Sequence, residues 1–262
     1  MPIEFYPPQR KDADAVLWWQ AVVAAGGTVS GVQLRHVSTL IRALKACGAW
    51  DRRDDYAAYC SENSIQARVT LKKRIVASFT SGTQPTFVAN RGFLGQRSGA
   101  IDTGWNGTTA GQVYTQNDGG FGCYLYSAPT TDLDRVMGND ETNYGELALT
   151  NAKANWSGGC NSSAAITYAN GGLLTGLLLF NRTASNAVAM WQNGVQKVTS
   201  STTSASIKNQ SFYVCAGNNG NAPFQPTDAG ISFAFFGGSL ANVLLAAEWQ
   251  AIRAFLTTVG VP

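Results

Sequence analysis

The chain has a single histidine, His36, among 262 residues. That scarcity removes several chemistries at once. A Ser–His–Asp arrangement has to draw its base from this one position, and no G-x-S-x-G turn accompanies it. A structural zinc site needs closely spaced cysteines with histidines. The five cysteines, Cys47, Cys60, Cys123, Cys160 and Cys215, are widely spaced and form no C-x-x-C pair. They are expected as buried free thiols, with a Cys47–Cys60 bridge as the alternative. No cofactor motif is present: Gly-rich pieces such as "GGFG" lack the strand–G-x-G-x-x-G–helix setting of a nucleotide site.

Charge is scarce as well. Charged residues make up 13% of the chain, about half the usual share. Gly, Asn, Ser and Thr stand in their place, the residues of tight turns and neutral surfaces. The net charge of +3 is unevenly spread. Residues 1–75 carry 11 Lys and Arg against 7 Asp and Glu, and residues 76–262 carry 8 against 9. The one basic run, Lys72-Lys73-Arg74, is too short for a nucleic-acid surface and reads as a solvated strand end. Long apolar runs are missing too. The longest, Leu173–Phe180, is interrupted by Gly176 and is far too short to span a bilayer. The N-terminal residues show no apolar signal-peptide core. These absences point to synthesis in a cytosol, without membrane insertion.

What is present reads in two parts, a helical segment over residues 1–75 and a β-rich body over 76–262. Asp12 or Asp14 can cap a short helix that ends at Gly26-Gly27. Ser30-Gly31-Val32-Gln33 is a capping box, and Leu34, Val37, Ile41 and Leu44 follow at helical spacing up to Gly48. His36 lies off that stripe and is expected to face solvent. The first 60 or so residues are therefore expected to be helical. "SIQARVTLKK" alternates and predicts a strand over residues 64–73. Beyond it lie short β-rich runs, including "TFVANRGFL", "GQVYTQ", "FGCYLYS", "GELALT", "SAAITYA", "LLTGLLLFNRT" and "GISFAFFGG", separated by turn clusters. Many short strands at regular spacing mean a sandwich or barrel. In "AVAMWQNGVQKV", Asn193-Gly194 between two alternating runs predicts a hairpin whose central residues both need φ > 0. Ser239 is expected to cap a final helix with a Leu245, Trp249, Ile252, Leu256 stripe.

The order from residue 173 onward carries a resemblance. Arg182 precedes Trp191-Gln192-Asn193-Gly194, and Phe235-Phe236-Gly237-Gly238-Ser239-Leu240 leads into the last helix. This resembles the back half of concanavalin A-like (laminin-G-like) jelly-roll domains. In the front half, Phe87, Arg91-Gly92-Phe93, Gly95 and Ile101 to Asn106 look like a pattern met in structural proteins of tailed bacteriophages and prophages. The two resemblances imply a mainly β, antiparallel jelly-roll sandwich with an N-terminal helical docking segment and a C-terminal helix. They imply a non-enzymatic virion structural protein on the particle surface, such as a capsid decoration, head-fibre or tail-fibre subunit, made in a bacterial cytoplasm. Its expected partners are other virion proteins, through the helical segment, and further copies of itself. The alternative is a glycan-binding adhesin for host attachment, and the third reading is a polysaccharide depolymerase.

The residues weigh against the depolymerase. Sandwich hydrolases place two or three carboxylates at i, i+2 and i+4 on one strand face. Here Asp140 and Glu141 are adjacent, and Glu146 is five residues past Glu141, so that spacing fails. Asp132-Leu133-Asp134 is the nearest approach to a calcium loop, but it forms no EF-hand-like series. For sugars, aromatic faces and amides are available in loops at Trp105 and Asn106, Asn117 and Asp118, Asn143 and Tyr144, Trp156, and Asn218 and Asn219. The same Trp and Tyr also serve as core fillers, and Asn serves turns. Trp191 is expected in the sandwich core, with Asn193-Gly194 setting the hairpin register.

Overall fold

A computed structural model describes residues 11–140, 145–150 and 153–262. Helix α1 (Ala13–Ala24) starts where the Asp12 side chain accepts the Asp14 amide, at 2.9 Å. Helix α2 (Gly31–Ala46) starts where Ser30 accepts the Gln33 amide, at 3.0 Å. A one-turn helix α3 (Ala49–Arg52), strand β1 (Arg53–Ala58) and short helix α4 (Ser64–Arg68) follow. The strands then run β2 (Ser78–Phe79), β3 (Thr86–Val88), β4 (Gly92–Leu94), β5 (Ile101–Asp102), β6 (Gly119–Ser127), β7 (Arg135–Asp140), β8 (Gly145–Thr150) and β9 (Asn155–Gly159). They continue with β10 (Ile166–Ala169), β11 (Gly176–Ala184), β12 (Ala187–Gln192), β13 (Val195–Ser200), β14 (Tyr213–Val214), β15 (Gly217–Asn219), β16 (Ala222–Phe224) and β17 (Gly230–Gly237). Helix α5 (Asn242–Thr258) ends the chain.

Two antiparallel sheets form a jelly-roll sandwich. One has the order β13-β12-β11-β6-β17-β4-β3, with β1 also paired to β17; the other is β10-β9-β8-β7-β14-β5-β2. Between them lie Phe121, Cys123, Leu178, Phe180, Met190, Ala234 and Phe236 from the first sheet, against Val136, Leu147, Trp156 and Val214 from the second. The opposite face of the first sheet is also buried. Tyr124, Leu177, Leu179, Phe233 and Phe235 pack there with Trp18, Val37, Ile41, Leu245, Ile252 and Leu256 of α1, α2 and α5. The molecule is therefore three layers deep, helices on sheet on sheet. This explains the apolar runs Leu177–Phe180 of β11 and Phe233–Phe236 of β17, since a strand covered on both faces shows no polar alternation. In β17 a register shift between Ile231 and Phe233 moves Phe233 and Phe235 to the helical side.

Several sequence expectations are corrected. Residues 53–58 are not helical; β1 pairs with β17 from Arg53↔Gly237 to Ala58↔Phe233. Its charges look solvent-facing in the text but serve tertiary contacts. Asp54 accepts the amides of Val113 and Tyr114, and Asp55 accepts those of Tyr56, Lys72 and Lys73. "SIQARVTLKK" begins as α4, because Asn63 caps it by accepting the Gln66 amide at 2.9 Å. "GQVYTQ" forms no strand; it is a loop that buries Tyr114. "TFVANRGFL" folds into two strands, β3 and β4, around a turn with Asn90 at φ 59. Ala241, not Ser239, is the N-cap of α5; the Ser239 amide is held by Asp118 instead. His36 is half-buried, with its Nδ1 hidden from solvent. The basic run is tied inward: Lys72 donates to the carbonyls of Trp50 and Arg53, Lys73 to Gln112 and Arg74 to Asp14.

The layers are fastened by a fully buried ion pair. Arg53 Nε and Nη2 donate to Glu248 Oε1 and Oε2 at 2.9 and 2.7 Å, and both side chains are 0% exposed. Arg53 Nη1 donates to the Gly238 carbonyl, the Tyr56 hydroxyl donates to Glu248 Oε1, and the guanidinium lies 4.5 Å over the Phe235 ring. Burial disfavours the charged guanidinium, but Glu248 outweighs it and holds Arg53 above its ordinary range. Room for the guanidinium comes from Gly120, where a Cβ would lie 2.4 Å from Nη1.

All five cysteines are free; Cys47 is half-buried and the other four are buried. Burial pushes the thiols of Cys60 and Cys215 up to about 12 and that of Cys160 to about 11, and raises Cys123 as well. Thiolate is the reactive form. A thiol-specific disulfide reagent at about pH 8 is expected to modify Cys47 rapidly and the other four only on unfolding. A second fast thiol in the native protein contradicts this packing.

Candidate functional site

The sequence-predicted positions do not converge on one site. Trp105 is 1% exposed and stacks on Phe236 at 4.8 Å, edge-on to Tyr114. Trp156 is 0% exposed in the sandwich core, its Nε1 donating to the Leu173 carbonyl. Neither offers a ring face to a ligand. Asn106 holds its own turn by accepting from Thr108, and donates to Asn209 at 2.7 Å. Asn117 is exposed at a turn, while Asp118 bridges Arg52 at 2.7 Å and accepts the Ser239 amide. Burial raises the Asp118 carboxyl, yet the hydrogen bonds from Arg52 and Ser239 prevail and hold it below the usual carboxylate range. Asn218 is buried in the β15–β16 hairpin, between Ser211 and the Asn221 amide; Asn219 is exposed beside it. Asn143 and Tyr144 lie outside the described residues.

The carboxylates of the depolymerase reading are also accounted for in part. Glu146, in β8, is 3% exposed and receives Arg135 Nε of β7 at 2.8 Å. Glu141 lies outside the described residues. Asp132 accepts the Lys153 amide, and Asp134 accepts from Thr131 and Thr227. Among the described residues, no group of three or more His, Cys, Asp or Glu is placed to hold a metal ion.

A cleft that the sequence reading did not assemble lies where the β11–β12 end of the first sheet meets α5. Its walls include Tyr124 and Tyr126 of β6, Asn193 of the hairpin, and Trp249 and Arg253 of α5, with Leu173, Thr175 and Gly176 at the side. Tyr124 and Trp249 stack with centroids 6.1 Å apart and planes 15° apart. Arg253 Nη1 donates to Tyr124 Oη at 3.2 Å and to the Val261 and Pro262 carbonyls. Burial pushes both phenols up, so Tyr124 and Tyr126 carry their protons near neutrality. Tyr126 Oη is buried and has no partner.

The Asn-Gly turn builds this cleft. Asn193 and Gly194 have φ 52 and φ 73, as a type I′ turn requires. Asn193 Oδ1 accepts the Leu177 amide at 2.8 Å, which fixes the amide plane beside Gly176. Gly194 lies against Trp249: a Cβ there would be 2.5 Å from Cδ1 of the indole. The turn thus sets register and also backs the aromatic wall. Trp191 is 5% exposed, but it faces the helical layer and not the space between the sheets. Two other depressions carry less varied chemistry. The groove between α2 and α5 is mainly apolar, and the one near Asn186, Thr199 and Asn242 has no aromatic wall.

No protein-family model matches the chain, and no curated protein sequence matches it. Solved structures do match its fold. Domain 4 of AbnA, a GH43 extracellular arabinanase from Geobacillus stearothermophilus solved with arabinotriose, is similar with a TM-score of 0.51 and 15% identity, over 76% of this chain and 98% of that domain. A mutant Trypanosoma rangeli sialidase displaying trans-sialidase activity has a TM-score of 0.51 at 10% identity, over 85% of this chain. The binding domain of botulinum neurotoxin serotype D has a TM-score of 0.49 at 8% identity, over 76% of this chain. The chain spans 40% of the sialidase and 52% of the neurotoxin domain. At such identities the likeness is one of fold, and it is that of a jelly-roll sandwich.

Gly194→Ala tests how the hairpin supports the cleft. Alanine at positive φ costs about 1–2 kcal/mol, and here it also meets Trp249. Gly171, at φ 60 with open space around it, is the control. Chemical denaturation is expected to show a larger loss for Gly194→Ala than for Gly171→Ala. Equal losses contradict the contact.

Proposed function

We propose that the chain is a non-catalytic glycan-binding module presented on a particle surface. The observation that carries this reading is the cleft of Tyr124, Tyr126 and Trp249 with Arg253 and Asn193 at its rim. Apolar faces of a sugar ring pack on aromatic side chains, and its hydroxyls need hydrogen-bonding groups close by. Arg253 adds a cationic donor, whose Nη1 already holds Tyr124 Oη and the Val261 and Pro262 carbonyls in place. The fold supports the reading, since the arabinanase domain of the same architecture was solved with arabinotriose. The Arg135 pairing of Glu146 supports a binding role over hydrolysis.

The sequence pattern around Arg91-Gly92-Phe93 and Ile101 to Asn106 favours a finer reading, a virion structural protein of a tailed phage or prophage. In it, residues 1–75 dock the module to other virion proteins, copies of the subunit associate with one another, and residues 76–262 face outward toward host glycan.

The test is binding of arabinotriose and of an array of bacterial lipopolysaccharide and capsule fragments. Trp249→Ala is expected to abolish binding. Arg253→Gln is expected to lower affinity about 10-fold or more, a charged hydrogen bond's worth. Binding that ignores both substitutions places the glycan elsewhere. Release of reducing ends, abolished by Glu146→Gln, overturns the non-catalytic reading.

A further inference from the structure

Arg253 is held by one nitrogen and leaves an edge of its guanidinium unused. Nη1 donates to Tyr124 Oη at 3.2 Å and to the Val261 and Pro262 carbonyls at 3.3 and 3.0 Å. Nε and Nη2 meet no acceptor among the described residues. Arg53, Arg52, Lys45 and Arg74 each pair with a carboxylate, of Glu248, Asp118, Asp14 and Asp14 in turn. Arg253 pairs with none among the described residues. Arg53 shows what the unused edge does in this protein. Its Nη1 also donates to a carbonyl, that of Gly238, while Nε and Nη2 donate together to the two Glu248 oxygens at 2.9 and 2.7 Å, beside the Tyr56 hydroxyl. Arg253 repeats the carbonyls at Nη1 and the tyrosine alongside, and lacks only a carboxylate from the described residues.

We propose that the cleft selects acidic glycans, those carrying a hexuronate, and that Arg253 Nε and Nη2 donate side by side to the sugar carboxylate. The inference rests on the reading of the cleft as a glycan site and names the class of sugar it takes. A guanidinium edge and a carboxylate match in a planar, two-bond geometry that a lone hydroxyl does not fill. The acid group of a hexuronate is one bond from the ring, so ring and acid must be met together. Trp249 and Arg253 are one helical turn apart on the same face of α5, and both line the cleft. No Asp or Glu among the described residues lines it, so an incoming anion meets no like charge there. A carboxylate brings one negative charge to one guanidinium. A phosphate monoester brings about −1.5 to −2 at neutral pH and finds no second cation in the lining among the described residues. Nη1 is fixed by Tyr124 and the two carbonyls, so the fork is set in advance and less rotamer freedom is lost on binding.

The test is binding of the full chain to an array of bacterial capsule and lipopolysaccharide fragments printed twice, untreated and with their carboxyl groups methyl-esterified. The bound fragments are expected to carry a hexuronate, and esterification to weaken binding about tenfold or more, the worth of a charge-assisted pair. Arg253→Lys keeps the charge and loses the fork. It is expected to weaken binding of the acidic fragments about fivefold or more and to leave binding of their esters unchanged. Fragments bound equally well before and after esterification overturn the proposal and leave the glycan reading standing. So does a loss in Arg253→Lys that is equal on both printings, which gives Arg253 a purely structural part. Preference for phosphorylated fragments without a hexuronate overturns it as well. An array on which nothing binds removes the glycan reading and this inference with it.

Discussion

The buried pair of Arg53 and Glu248 is the constraint on which the architecture depends. It joins residues 195 positions apart in the chain. One belongs to the strand that extends the first sheet, the other to the helix that covers it. Two charges removed from water cost several kcal/mol each, and attraction repays this only when geometry and surrounding hydrogen bonds are good. Here the pairing is bidentate, and Tyr56 and the Gly238 carbonyl take up further valences. The pair favours the observed seating of α5, because one that separates the two leaves a charge alone in an apolar layer.

That seating has a consequence one residue away. Glu248 points inward, so its neighbour Trp249 lies at the margin of the layer, against Tyr124 and the Asn193-Gly194 turn. Arg253, one helical turn further on, reaches Tyr124 Oη. The cleft is thus assembled from three distant pieces of sequence, a strand, a hairpin and a helix. Their convergence is a product of the helical layer, not of the loops that decorate the sandwich.

Local physics was legible in the text. Asp12 and Ser30 cap as their side chains allow, Asn193-Gly194 turns as its φ angles require, and the short β runs pack into a jelly-roll sandwich. Tertiary use of charge was not legible. Arg53, Asp54 and Asp55 look like a solvated stretch, yet each serves a partner that only the fold supplies. Aromatic roles were hidden for a similar reason. Trp105 and Trp156 are chemically able to stack on sugars, but the sheets close over them. Trp249, one member of a helix stripe, is left half-covered, stacked on Tyr124 and lying against Gly194. Asn193 carried a signal, its turn propensity, but nothing in the text said that the turn would back an aromatic wall.

The central claim is that the Arg53–Glu248 pair locks the helical layer onto the sandwich. A double-mutant cycle on equilibrium stability tests it directly. Glu248→Met alone leaves Arg53 buried and uncompensated, and is expected to cost about 3–5 kcal/mol. Arg53→Met with Glu248→Met removes both charges at similar volume and is expected to restore most of that loss. A single substitution costing under about 1 kcal/mol, within the range of an exposed ion pair, contradicts the account.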